Sequence, residues 1–316
     1  MTAEKLWRLA IGLAFSAGLL WLLLRGVEVA KLVALLSGVY WPGLLAALMA
    51  LFGSYAARIR RWQILLRHEN PALTWRQCAG PLLAGFAVNN VLPFRAGDML
   101  RCVGFCGLLR VSAGGAGVTL VVERLLDLIT LLLILAIVSV AFGFDGLRLF
   151  GLGAMGVAVL MAAVLLLPQL FGPALRGLLW VIDRLSSRLG KRFRSECARA
   201  SELLEAARSR RTMLSLAGWS LAVWAAEGVV FSFAAHSLLA LEAPIFAWLA
   251  LPAATLGTLL PGLPGHVGTF DYFAAEAIAA GGNSVLASAA FALLVHVLLW
   301  LPVTAAGGLW LWMRRE

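Results

Sequence analysis

Asn89-Asn90-Val91-Leu92-Pro93-Phe94-Arg95-Ala96-Gly97-Asp98 interrupts a long apolar run in the first half of the chain. Leu260-Pro261-Gly262-Leu263-Pro264-Gly265-His266-Val267-Gly268-Thr269-Phe270-Asp271 interrupts another in the second half. Each stretch has a Leu-Pro step, a glycine four residues after the proline and an aspartate soon after that glycine. Proline removes a backbone donor and glycine loosens the backbone, so neither run continues as one clean helix. Paired Gly/Pro breaks at corresponding places in two halves of a membrane protein are the mark of an inverted-repeat transporter. Broken backbone at membrane depth survives only inside protein or beside a wet cavity. The two breaks are therefore expected to wall one site.

Composition agrees with a membrane setting. Of 316 residues, 62% are apolar and only 13% charged, and the mean hydropathy is +0.91. Such values belong to a polytopic all-α membrane protein. The net charge of +10 fits basic loops facing anionic headgroups. It does not suggest nucleic acid, which would need an extended soluble basic domain. Cys78, Cys102, Cys106 and Cys197 lack metal or redox spacing. No nucleotide-binding Gly-x-x-x-x-Gly-Lys-Ser/Thr loop is present, so no ATP-driven step is expected. No cofactor is expected, and no cleavable signal is evident before the first apolar run.

Six full spans are expected at roughly 6–24, 39–57, 114–142, 149–168, 213–236 and 286–312, each near the ~20 residues a bilayer requires. Segments 76–110 and 244–283 are apolar but cut by their breaks. Lys5 and Arg8, the group Arg58, Arg60, Arg61 and Arg67, the ten Lys or Arg of 169–212, and Arg314 with Arg315 all map to the cytoplasm by the positive-inside rule. That assignment works if 76–110 re-enters from the cytoplasm and 244–283 from the opposite face; pairs of tilted full spans give the same sidedness. The whole chain reads as one domain. The first repeat covers about 1–142 and the second about 149–316, joined by an amphipathic cytoplasmic connector at 169–212. Trp41, Trp62, Trp75, Trp219, Trp310 and Trp312 fall near span ends, as interfacial anchors would.

Several charges lie at membrane depth, where each costs several kcal/mol unless paired or hydrated. Glu123, Arg124 and Asp127 occupy the third span, and one arginine between two acids would neutralise itself in part. Arg95, Asp98 and Arg101 follow the first break, where two guanidinium forks and helix-start amides suit a phosphate. His266 and Asp271 follow the second break; the histidine is the right type to couple a step to protons. Asn89 and Asn90 suit either capping of the broken backbone or ligand contact. Glu227 and His296, also at depth, suit ties between helices.

The ordered set Asn90…Leu92-Pro93-x-Arg95-x-Gly97-Asp98-x-x-Arg101, Glu123-Arg124-x-x-Asp127, and Leu260-Pro261…Pro264-Gly265-x-x-Gly268…Asp271 resembles the lysylphosphatidylglycerol synthase transmembrane-region family of flippase-like membrane proteins. Asp98 and Asp271 stand where that family usually has glutamate, so acid character is kept with shorter reach. The resemblance implies movement of a lipid between leaflets. Candidate partners are an aminoacyl-phospholipid, an isoprenoid-phosphate sugar or another glycolipid, and self-association into a homo-oligomer is left open. The membrane expected is a bacterial cytoplasmic membrane, and the charge rule places both termini on its cytoplasmic side. The family's synthases carry a soluble aminoacyl-transfer domain after the membrane region; here the chain ends at Glu316, so aminoacylation by this chain is not expected. The expected ligand residues are Asn90, Arg95, Asp98, Arg101, Glu123, Arg124, Asp127, His266 and Asp271. The alternative is an intramembrane lipid-modifying enzyme using the buried carboxylates as acid and base.

Overall fold

A computed structural model describes residues 3–142, 145–166, 209–260 and 262–314. The described residues are helical, with no strand. Helices α1 (Ala3–Leu24), α2 (Val29–Ser37) and α3 (Trp41–Leu66) come first. The first broken segment holds α4 (Trp75–Val91), α5 (Ala96–Met99), a π turn (Leu100–Gly104) and α6 (Cys106–Leu109). Then follow α7 (Ala113–Phe142), α8 (Asp145–Leu166) and α9 (Arg210–Ser237). The second broken segment holds α10 (Ala247–Gly257) and α11 (Thr269–Ala279), and α12 (Val285–Met313) completes the described fold.

Four helices, α3, α7, α9 and α12, have the length and hydropathy to cross a membrane. Helices α1 and α8 contribute shorter apolar stretches, Gly12–Leu24 and Gly151–Ala163. The protein is thus an integral membrane protein by composition and helix length. Its outer surface carries Leu45, Met49, Phe52, Leu221, Leu301 and Leu309, all exposed. An apolar exterior of that extent is what lipid, not water, stabilises. The interior is dominated by small residues: Ala47, Ala234, Ala250, Ala274 and Ala290 are fully buried. Small side chains let backbones approach closely, the main source of helix association where no hydrophobic gain is left. The tightest pairs are α3 with α9, α7 with α8, and α12 with α4.

Each broken segment is a hairpin closed at its base by an asparagine. In the first, a capping box between Thr74 and Gln77 starts α4, and the chain turns over at Leu92–Arg95. On its return, Gly97 lies against the carbonyl of Gly85; a Cβ there would sit 1.8 Å from that oxygen. Only glycine allows the two arms to meet so closely. At the base Asn70 donates to the carbonyl of Leu109 at 2.8 Å, and Glu69 accepts from the Ser112 amide and hydroxyl. In the second hairpin Asn283 accepts from the amides of Glu242 and Ala243 at 2.9 and 3.0 Å. Its amide group donates to the carbonyl of Ile278 at 2.8 Å. Both ends of each segment therefore lie side by side.

Two expectations change. Helix α3 runs to Leu66 instead of ending at 57, and Arg58 and Arg61 are buried within it. They are not loop charges, because acids on neighbouring helices compensate them. Trp62 is no interfacial anchor either. It is buried, donates to Thr119, and carries the Arg101 guanidinium over its ring at 4.5 Å. The connector expected at 169–212 lies outside the described residues up to Ser209, which caps α9 through the Thr212 amide. Pro261 of the second break also lies outside them.

Candidate functional site: a charged cavity where two hairpin tips meet

The turn of the first hairpin holds two consecutive residues in the left-handed region, Phe94 and Arg95 (φ 62° and 52°). The second holds another consecutive pair, Gly265 and His266 (φ 71° and 62°). Both pairs directly follow a proline, Pro93 or Pro264. Left-handed backbone at a residue with a Cβ costs roughly 1–3 kcal/mol and persists where the surroundings enforce it. The second left-handed residue in each turn is basic. Arg95 and His266 are thus equivalent positions of the two hairpins, a relation hidden in the sequence by the unequal spacing to Asp98 and Asp271.

The tips touch. Gly265 packs so near the Asn90 carbonyl that an added Cβ would lie 3.1 Å from it. The Trp300 indole of α12 donates to that same carbonyl at 3.3 Å. Beside this junction is a cavity of about 320 Å³ lined by both breaks and by α3, α7, α9, α10 and α12. Asn90, Arg95, Asp98, Arg124, Asp127 and His266 line it, together with Arg58, Trp224, Glu227 and His296. Three expected ligand residues, Arg101, Glu123 and Asp271, are not among its lining residues.

The charges around the cavity are paired between helices. Arg101, on the π turn, forks onto Glu123 of α7 with contacts of 3.1 and 2.8 Å, and both side chains are at most 2% exposed. Arg61 of α3 lies 2.7 Å from Asp127 of α7, which also accepts from the Trp224 indole at 3.0 Å. Arg58 of α3 lies 2.5 Å from Glu227 of α9, with Ser54 donating to the same carboxylate. Arg124 of α7 lies 3.2 Å from Asp98. Asn89 holds the start of the first return arm: its carbonyl oxygen accepts from the Gly97 and Asp98 amides and its amide group donates to Asp98. Of the two roles the sequence left open for it, capping is the one these contacts fill. Asn90 instead donates to Thr304 of α12 at 2.9 Å.

The internal neutralisation expected within α7 is a minor contact, since Arg124 and Asp127 approach only to 3.9 Å. Glu123, Arg124 and Asp127 reach outward to three different elements. The reason is geometric: successive positions of a helix face different neighbours. Arg101, expected to grip a ligand, is committed to Glu123. Asp271 is fully buried, accepts from the Gly268 amide at 2.9 Å and lies 2.7 Å from Nδ1 of His296.

Four arginine–acid pairs thus surround the cavity, and one guanidinium is left over. Arg95 lines the cavity, is exposed to it, and forms no ion pair or hydrogen bond with a described residue. His266 Nδ1 is buried without a hydrogen-bond partner. Both hairpin tips therefore offer the cavity an uncommitted polar group. Arg124 stands beside them, a third exposed and tied to Asp98 by a single nitrogen. An anion with several acceptor oxygens is the chemical complement of that set.

Arg58, Arg61 and Trp224 were not expected at the site. A signal for the first two existed: Ser54, Arg58 and Arg61 recur on one helical face of an apolar run. The acids at depth also outnumbered the arginines assigned there, so further cations were required.

No curated protein matches the chain. The profile of the family described as the lysylphosphatidylglycerol synthase transmembrane region matches residues 9–307. Its match spans both broken hairpins and the four arginine–acid pairs, and the chain belongs to that family.

Proposed function

We propose that this chain moves a lipid with an anionic headgroup between membrane leaflets. The observation that carries the proposal is the uncommitted Arg95 guanidinium at the meeting point of two hairpins, inside a ring of otherwise compensated charges. A phosphate oxygen pair would accept from Arg95 and Arg124 and a third oxygen from His266. Asp98 would hold Arg124 in place between cycles. Discontinuous helices that meet at a central site are the usual way transporters build such sites. In this reading the first hairpin re-enters from the cytoplasmic leaflet and the second from the other. The Arg58–Glu227 ion pair and the Trp224–Asp127 hydrogen bond tie the two repeats together. The membrane is a bacterial cytoplasmic membrane, with both termini inside.

The test is leaflet exchange of headgroup-labelled phosphatidylglycerol and of an isoprenyl phosphate in liposomes holding the purified protein. Wild type should exchange at least one, and Arg95→Gly should not. No exchange of either lipid by folded wild type, with or without ion gradients, refutes the reading.

A second reading, intramembrane lipid modification, is favoured by one feature. His296 lines the cavity with Asp271 behind its Nδ1, the arrangement of an oriented base. Chemically altered lipid accumulating with purified protein would support it.

A further inference from the structure

Helices α3 and α12 both have spanning length yet scarcely touch. Between them, over α4, lies a second hollow of about 340 Å³. Ala56 of α3, Pro302 and Ala306 of α12, and Leu83 and Trp75 of α4 line it. Its lining is apolar except for Tyr55 and the Trp75 indole, whose N–H is satisfied by the Ala56 carbonyl at 3.2 Å. Tyr55 lines this hollow and the charged cavity alike. Its ring meets Phe86, another cavity residue, edge to face at 5.5 Å.

A lipid is amphipathic, so a site that holds only its head leaves the tail without a route. The charged cavity is walled by ion pairs on α3, α7 and α9, where an apolar chain would displace buried charge contacts. The gap between α3 and α12 is free of charged side chains, and Tyr55 forms a wall that it shares with the cavity. Packing a chain against it removes apolar surface from the polar cavity mouth without breaking any ion pair.

We infer that the α3–α12 gap holds the apolar tail of the lipid whose headgroup occupies the charged cavity, with Tyr55 and Phe86 at the boundary between the two. The inference rests on the headgroup reading above, and its test separates the two. Purified wild type in liposomes is irradiated with phosphatidylglycerol carrying a diazirine in its acyl chain, and adducts are mapped by mass spectrometry. Adducts are expected on Leu83 or Ala306, and they should be lost in Arg95→Gly, which removes the headgroup contact. Ala306→Trp fills the gap; it should lose lipid exchange while still binding glycerol phosphate, a headgroup without tails.

Adducts absent from the gap, or unchanged by Arg95→Gly, overturn the inference, the latter by identifying ordinary surrounding lipid. Wild-type exchange by Ala306→Trp also overturns it, whatever the fate of the translocation reading. Headgroup-dependent adducts in a wild type that exchanges nothing would keep the tail site and discard translocation. Thermal unfolding of each variant, read beside these assays, identifies any that fails to fold; Ala56→Trp then fills the gap from the opposite helix.

Discussion

Replacing Glu123 by glutamine tests whether the inter-helix ion pairs hold the cavity together. The two side chains are isosteric, so packing is preserved and only charge is removed. Arg101 then keeps a full charge at 2% exposure with no counter-ion. For charge centres about 4 Å apart and an effective dielectric near 20, the lost attraction is about 4 kcal/mol. Breaking one partner of a buried pair in other proteins costs about 3–5 kcal/mol. Glu123→Gln should therefore destabilise by about 3–5 kcal/mol, seen as a lower midpoint of denaturant unfolding in bicelles. Adding Arg101→Met should recover much of that loss, since replacing both charges by apolar groups is often near neutral. The double variant being no more stable than Glu123→Gln would refute this account. So would a single variant within about 1 kcal/mol of wild type, the range of an exposed pair.

Other outcomes follow from the same geometry. Arg95→Gly removes the free cation but suits the left-handed backbone at φ 52°; stability should hold or rise by up to about 1 kcal/mol while exchange of anionic lipid is lost. Gly97→Ala would place a methyl 1.8 Å from the Gly85 carbonyl, so the first hairpin should open, with a loss of several kcal/mol in unfolding experiments. Asn283→Ala removes the acceptor for the Glu242 and Ala243 amides; a loss of about 1–3 kcal/mol and faster hydrogen exchange at those two amides are expected. Asp127→Asn leaves Arg61, wholly buried, without its close carboxylate; lower stability and slower lipid exchange are expected together, and unchanged exchange at matched membrane abundance would exclude a role for this pair in transport.

Membrane class, helical architecture and the two breaks were all legible in the sequence. Each depends on local chemistry: apolar runs of spanning length, and Pro and Gly that cannot continue a helix. The aspartates following both breaks and the acids of α7 were visible because charge at membrane depth is rare. For Asn89 and Asn90 the sequence left capping and ligand contact equal; the structure has Asn89 capping the return arm and Asn90 bonding Thr304.

The partners of those charges belonged to the tertiary structure. Arg58 and Arg61 read as loop residues because a positive run after an apolar one ordinarily marks a span end; only Glu227 on α9 and Asp127 on α7, 169 residues and 66 residues further along the chain, make their burial tolerable. Arg95 and Arg101 carry the same charge six residues apart, yet one is free at the cavity and the other locked to Glu123. Sequence spacing cannot tell them apart, because that choice depends on the left-handed turn at Arg95, the π turn at Arg101 and the distance to α7. The residues and their charges are properties of the chain. Which guanidinium remains available for a ligand is decided where helices distant in sequence bring four carboxylates within reach of five arginines.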